Sequence, residues 1–185
     1  MTVTQKHGDI DVVPCWINGK AAPLDAKNLI EVTSSALGKK VHYAQSASAE
    51  TAISAVNSAA ESFKDFSQVP YNKRRELLMK AADVLESRVD ELIARYQMEE
   101  TPCPEMWGRF NVVIAAKAVR EIAGSITVAC MGETPPPETA DAFCLVYKHP
   151  IGPVLSMAPW NRSIILSCRS LAAPLCWMYR SLQSL

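Results

Sequence analysis

The stretch that decides the fold runs from residue 149 to residue 161 and reads His-Pro-Ile-Gly-Pro-Val-Leu-Ser-Met-Ala-Pro-Trp-Asn. Residues 152–157 are apolar on both faces, which is typical of a strand buried in a parallel sheet. Residues 164–175 then have the length and apolar content of a helix. A strand that passes through a sharp turn into a helix is how a nucleotide-binding βα unit begins. The sequence therefore predicts an α/β protein.

Three helices are predicted before this unit. Ser48 has the residue type of an N-cap for the first helix, which Pro70 closes. The second is predicted over residues 71–100, with one apolar stripe, and the third over 105–125 with Gly124 as its C-terminal cap. Helices thus fill the middle of the chain.

Short strands are predicted around the helices. Residues 14–17 lead into Asn18-Gly19, a hairpin-turn dipeptide, and residues 41–43 return as a strand. A further strand is predicted over 142–147, after a stiff run of three prolines. The last strand, 152–157, needs parallel neighbours, and we expect the chain to end before supplying them.

Composition excludes several classes of function. Lys plus Arg equals Asp plus Glu, which argues against a nucleic-acid or membrane-surface partner. The most apolar stretch, 151–178, contains two arginines and two prolines and is a poor membrane span. The N-terminus has no apolar signal region, so we expect a cytoplasmic protein with free thiols. The six cysteines form no metal-ligand pattern and none has a recognisable partner base.

The run from Pro150-Ile151-Gly152 to Pro159-Trp160-Asn161 resembles the aldehyde dehydrogenase superfamily, in which a Pro-x-Gly run precedes a strand and Pro-Trp-Asn. Trp16-Ile17-Asn18-Gly19-Lys20 looks like the family's opening strand and turn. The resemblance covers about residues 14–175. It is greatest to members of the salicylaldehyde and vanillin dehydrogenase type, and rests there on residues 147–148, 165–166 and 169.

The resemblance implies the N-terminal part of the aldehyde dehydrogenase fold: helices, an incomplete Rossmann-like parallel sheet and one oligomerisation strand. Residues 1–137 would be the helical part of the cofactor-binding domain and 138–150 the oligomerisation-type strand. Residues 151–175 would be the first βα unit. The tail, 176–185, resembles nothing in the family and has the character of a shifted reading frame.

The chemistry implied by the family is oxidation of an aldehyde to a carboxylic acid, with NAD or NADP accepting the hydride. A Cys thiolate attacks the carbonyl carbon and a Glu activates water to release the acid. Asn161 matches the family's amide donor to the oxyanion. From the residues alone, an N-cap for the following helix is the alternative role of Asn161.

Other site residues follow from the same resemblance. The cofactor is expected to lie along Ser156, Met157, Ala158, Pro159 and Trp160, although Trp160 also fits a core aromatic. Arg169 and Leu166 are expected to line the substrate tunnel. The alternative for Arg169 is a solvated arginine on a helix.

The departures from the family limit this interpretation. The family's catalytic Cys and Glu match no residue of this chain, so we expect a truncated dehydrogenase that is inactive alone. The competing hypotheses are a non-catalytic partner of full-length homologues, as a homo- or hetero-oligomer, and a plain helical domain. A half-built sheet would expose apolar surface, which predicts poor solubility or association with another chain.

Overall fold

The computed structural model describes residues 5–95, 102–177 and 180–184, and for Arg95 and 180–184 the backbone alone. The first part of the chain forms a four-stranded sheet. Its strands are β1 (Gln5–His7), β2 (Ile10–Val13), β5 (Leu29–Ser34) and β6 (Lys39–Gln45). They lie in the order β1-β2-β6-β5, in which β2 and β6 pair in parallel and the other pairs are antiparallel. The sequence analysis predicted part of β6 and missed β1 and β2.

A separate hairpin joins β3 (Trp16–Ile17) to β4 (Lys20–Ala21). Asn18 and Gly19 form its turn with φ of 52° and 73°. Two consecutive positive φ values are the signature of a type I′ turn, which matches the right-handed twist of the strands. The predicted hairpin is confirmed.

The first helix, α1 (Ala49–Phe66), begins as predicted. The N-cap is Ser48, whose side chain accepts a hydrogen bond from the backbone N–H of Thr51 at 3.1 Å. The prediction of a single second helix is wrong. The segment forms two helices, α2 (Tyr71–Ser87) and α3 (Val89–Arg95). Arg88 leaves helical geometry with φ −112° and ψ 16°. The predicted end at Glu100 lies outside the described residues.

The third predicted helix is observed as α4 (Glu105–Gly124). Its predicted end at a glycine cap is wrong. Ser125 follows in right-handed geometry, and the chain continues directly into α5 (Ile126–Cys130). A cap requires Gly124 to take a positive φ, and it does not do so here.

The strand predicted over 142–147 does not form within the described chain. Val146 makes a single antiparallel bridge to Glu133, and its neighbours belong to no strand. The side chains of Phe143 and Tyr147 are largely exposed. No other described strand lies alongside to continue the hydrogen-bond ladder, so the segment remains a connector.

The C-terminal part is the predicted βα unit: β7 (Pro153–Met157), a 3₁₀ turn (Trp160–Arg162) and α6 (Ser163–Cys176). The expectation that β7 has no neighbour in the chain is wrong. A further strand, β8 (Arg180–Ser184), pairs with β7 in parallel along its whole length. A crossover through α6 returns the chain to the same sheet.

The main core lies where α2, α4, α5 and α6 meet. Its buried members are small and medium apolar side chains, namely Leu78, Ala82, Ala116, Val119, Ala123, Ile126, Ala172 and Cys176. Alanines let the helix axes approach closely, so α6 packs firmly on the helical layer. This packing positions the turn between β7 and α6, where the candidate site lies.

Candidate active site

The site is built on the carboxyl end of β7. Side chains alternate along this strand, so Leu155 and Met157 point outward while Ser156 points inward and is buried. The Ser156 hydroxyl oxygen has no hydrogen-bond partner within the described part of the chain. A buried hydroxyl without a partner is costly, so this oxygen marks a place where an additional polar group would be stabilised.

The turn after β7 presents the predicted tripeptide to solvent. Pro159 is extended, with φ −71° and ψ 151°, and starts the 3₁₀ turn. The Trp160 side chain is 76% exposed, so its interpretation as a core aromatic is wrong. Asn161 is exposed as well. Ala158 is half-buried and Pro159 is exposed, so the surface of the site runs from Met157 to Asn161.

The alternative role of Asn161 as the N-cap of α6 does not hold. The N-cap position is Arg162, and no side chain makes a capping hydrogen bond there. Asn161 therefore sits one residue earlier, inside the 3₁₀ turn, at the surface between strand and helix.

Helix α4 also lies at the site, where it contacts Arg162. The guanidinium carbon of Arg162 lies over the indole ring of Trp107, 4.8 Å from the ring centroid. Trp107 in turn stacks on Phe110, with 5.4 Å between centroids and 17° between planes. Both aromatic residues lie in the first turns of α4, so tertiary packing places α4 next to Asn161. The sequence analysis missed this pair, because no local pattern links α4 to the Pro-Trp-Asn turn.

The two residues predicted to line a substrate tunnel lie on α6. Leu166 is half-buried and Arg169 is exposed. The helix begins at Ser163, so Asn161 and Arg169 do not lie on one helix. An exposed Arg169 fits both the substrate-binding role and the solvated alternative.

Three of the six cysteines lie in surroundings that do not favour a thiolate. Burial raises the pKa of the thiols of Cys15 and Cys168. The pKa of Cys176 rises to about 11, mainly by burial and further by Cys130, while the Arg74 charge opposes this. A reactive cysteine needs the opposite shift. Across residues 5–95, 102–177 and 180–184, no three His, Cys, Asp or Glu side chains cluster as metal ligands.

Among the helices that the structure describes, none has both the length and the apolar character needed to cross a membrane. The described part of the apolar stretch 151–178 forms β7, the 3₁₀ turn and α6.

Comparison with known proteins identifies the family. Residues 22–177 match the model of the aldehyde dehydrogenase family. The chain belongs to the aldehyde dehydrogenase family. The match includes strands β5, β6 and β7, the six helices that the structure describes and the Pro159-Trp160-Asn161 turn. It ends at residue 177, before β8.

Two curated relatives act on aromatic aldehydes by name. The chain is 39% identical over 124 residues to salicylaldehyde dehydrogenase from Pseudomonas putida, covering 67% of this chain and 25% of the relative. It is 35% identical over 163 residues to vanillin dehydrogenase from Pseudomonas fluorescens, covering 88% and 33%. The chain therefore spans a quarter to a third of the length of these relatives. The predicted resemblance to this part of the family is confirmed.

Solved structures agree on the fold. A salicylaldehyde dehydrogenase from Pseudomonas putida G7, complexed with salicylaldehyde, superposes with a TM-score of 0.86 at 30% identity, covering 92% of this chain and 35% of that one. An NAD-dependent benzaldehyde dehydrogenase from Corynebacterium glutamicum gives 0.85 at 20% identity, covering 96% and 39%. The described α/β architecture is thus part of the aldehyde dehydrogenase fold, and the hypothesis of a plain helical domain is wrong.

Proposed function

We propose that this chain provides the oxyanion donor and the first cofactor-binding strand of an aldehyde dehydrogenase that oxidises an aromatic aldehyde to a carboxylic acid with NAD or NADP. The observation that carries the proposal is the exposed Pro159-Trp160-Asn161 turn at the carboxyl end of β7, next to the Trp107–Phe110 pair. In open α/β sheets, ligands bind at this end of the strands.

The residues present fit a dinucleotide. Met157 and Trp160 offer exposed apolar surface, which suits a flat heterocycle, and Ser156 carries the buried hydroxyl without a partner. Residues Ser156, Met157, Ala158, Pro159 and Trp160 would hold the cofactor along this edge. When bound, NAD or NADP accepts the hydride that leaves the aldehyde carbon.

Asn161 would donate a hydrogen bond from its side-chain amide to the aldehyde oxygen. Negative charge develops on that oxygen when a nucleophile adds to the carbonyl carbon, and a fixed neutral donor stabilises it. The position of Asn161 in a short turn between two packed elements supports this role, because a donor acts best when it does not have to reorganise.

Leu166 and Arg169 would contact the rest of the aldehyde from α6. A half-buried leucine and an exposed arginine on one helix suit a ring that carries a polar substituent. The names of the two curated relatives and the bound salicylaldehyde of the solved relative support an aromatic aldehyde as the substrate class.

We also propose that the chain alone does not catalyse oxidation of the aldehyde. Attack on the carbonyl requires a thiolate, and burial raises the pKa of Cys15, Cys168 and Cys176, which keeps these thiols protonated. Their role is structural in this proposal. The chain binds and polarises the aldehyde without completing the reaction.

The exposed connector 138–150 would contact another family member or a second copy, as predicted for an oligomerisation-type strand. The exposed Phe143 and Tyr147 side chains support this. No observation favours the hypothesis of a non-catalytic partner protein, because an enzyme subunit would use the same exposed surface. Six free cysteines support a reducing compartment such as the cytoplasm.

The test of the proposed function is ligand binding. Benzaldehyde would be titrated into the chain and its affinity compared with that for Asn161→Ala, with Asn72→Ala at the exposed start of α2 as the matched control. Loss of one hydrogen bond should weaken binding several-fold, about twofold to tenfold, in Asn161→Ala alone. Equal affinity in all three proteins, or no binding by any, would contradict the proposal.

Two further measurements address the cofactor and the chemistry. NAD should quench tryptophan fluorescence, and Trp160→Phe should remove most of the quenching, whereas Trp16→Phe should not. Formation of NADH from benzaldehyde and NAD, followed by ultraviolet absorbance, should not exceed the rate in buffer. Turnover by the chain alone would overturn the proposal that its thiols are unreactive.

A further inference from the structure

Arg162 makes a cation–π contact with the start of α4. Its guanidinium carbon lies over the indole ring of Trp107, 4.8 Å from the ring centroid, and Phe110 stacks on the same indole. A guanidinium has five N–H donors, and a contact of its cation with a ring does not consume them. Arg162 therefore keeps donors for a ligand while its charged group is held at the ring.

Its charge is not neutralised by a neighbouring carboxylate. Three arginines of the helices are ion-paired: Arg88 with Glu91 at 2.7 Å, Arg109 with Asp90 at 3.0 Å and Arg120 with Asp83 at 2.6 Å. For Arg162, the ring of Trp107 is the partner within the described residues, and no ion pair accompanies it. The contrast with Arg109 is direct, because Arg109 lies in the same helix as Trp107.

Arg162 directly follows Asn161 in the 3₁₀ turn, and both residues are exposed. Consecutive Cα atoms are about 3.8 Å apart, so the two side chains leave the same short turn. The Trp107–Phe110 pair provides an aromatic wall beside it.

We propose that Arg162 is a specificity-determining residue that binds a carboxylate or phenolate substituent of an aromatic aldehyde, and so favours anionic aldehydes over neutral ones. This rests on the proposed function, because the aldehyde must first occupy Asn161. The contact with Trp107 holds the guanidinium at the ring, and a guanidinium offers paired N–H donors that match a carboxylate. The contact with Trp107 already restricts the arginine side chain in the free protein, so ligand binding loses less conformational entropy.

The test compares two probes, para-carboxybenzaldehyde and benzaldehyde, titrated into the full 185-residue chain. Binding would be followed by the tryptophan indole N–H signals in proton–nitrogen NMR spectra, with Trp107→Phe identifying the Trp107 signal. The parent chain should bind the carboxylated aldehyde more tightly, on the order of tenfold, as expected for a charge-assisted hydrogen bond. Its addition should shift the Trp107 signal.

Arg162→Gln should abolish this preference, bringing the affinity ratio to about one, and should leave benzaldehyde binding within about twofold. Arg162→Lys keeps the charge but not the paired donors and should retain part of the preference. The control is Arg75→Gln, an exposed arginine of α2, which should retain all of it. A merely structural role of Arg162 would weaken both aldehydes equally.

The outcomes separate the two proposals. An unchanged preference in Arg162→Gln, or a preference lost in Arg169→Gln but not in Arg162→Gln, would overturn the inference about Arg162. Equal binding of both aldehydes to the parent chain would also overturn it, while weaker binding of both to Asn161→Ala would still support the proposed function. If neither aldehyde binds, both proposals fail.

Discussion

The guanidinium of Arg74 donates a hydrogen bond from Nη1 to the backbone carbonyl oxygen of Cys176 at 2.8 Å. Its Nε donates to the carbonyl oxygen of Val69 at 3.1 Å, and the residue is only 3% exposed. Cys176 is the last residue of α6, where carbonyl groups have no partner within the helix and a cation is favoured. One buried charge thus joins the start of α2 to the end of α6.

Replacing Arg74 by methionine should destabilise the fold by about 2–3 kcal/mol, because two carbonyl oxygens would lose their donor in a buried place. Urea denaturation followed by circular dichroism would measure the free energy of unfolding. Arg75→Met, one residue along on the exposed side of α2, is the matched control and should change it by less than about 0.5 kcal/mol. Equal effects of the two substitutions would contradict this role for Arg74.

The thiol of Cys176 should make stability fall at alkaline pH. Its pKa is raised from 9.0 to about 11 in the folded chain, chiefly by burial. Between these two pH values the unfolded chain releases the proton and the folded chain retains it, so the unfolded state gains stability as the pH rises. Below pH 9.0 the contribution is complete.

The measurement is the urea midpoint as a function of pH across that interval, for the parent chain and for Cys176→Ala. The substitution removes the titrating group, so the variant should lose less stability over the interval than the parent, although it starts from a lower value. Cys103→Ala, at a half-buried loop position, is the control and should keep the parent's slope. Parallel curves for the parent and Cys176→Ala would contradict the prediction.

Gly132 should not tolerate a side chain. A Cβ at this position would lie 2.6 Å from the carbonyl oxygen of Val146, which accepts the hydrogen bond of the Glu133 N–H at 3.0 Å. Gly132→Ala should therefore break the bridge between Glu133 and Val146. Hydrogen exchange of these two backbone amides should accelerate.

Gly124→Ala is the matched control, since nothing lies within 4 Å of a Cβ there. Gly124 is the last residue of α4, so the alanine should raise the free energy of unfolding by up to about 1 kcal/mol, and the thermal midpoint with it. Unchanged amide protection in Gly132→Ala would show that the connector adjusts without losing the bridge.

Ser48→Ala should destabilise the chain by about 1 kcal/mol, because the backbone N–H of Thr51 would lose the hydroxyl that accepts its hydrogen bond. Ser54→Ala, at an exposed position within α1, makes the same chemical change without a cap and should be neutral or slightly stabilising. Thermal unfolding by calorimetry separates them. A Ser48→Ala midpoint at or above that of Ser54→Ala would be incompatible with the capping role.

Much of the local structure could be predicted from the sequence. Asn18-Gly19 specified its turn, Ser48 specified the start of α1, and apolar periodicity specified α4. These features depend on residues a few positions apart, and backbone preference plus one hydrogen bond decide them. The Pro159-Trp160-Asn161 motif identified the family in the same local way.

Features that join distant residues could not be predicted. The break at Arg88 interrupts a continuous apolar stripe, and the parallel pairing of β8 with β7 comes from a tail outside the family pattern. Such features depend on which surfaces meet in three dimensions, where packing overrides local propensity.

The candidate site shows the same division. The sequence by itself determined that Asn161 follows a strand and a proline, and which family that pattern belongs to. Only the tertiary structure decided that Arg162 lies over Trp107 and that Arg74 meets Cys176. Contacts between residues far apart in the chain form only after loop closure is offset by burial of a shared core, so no short segment encodes them.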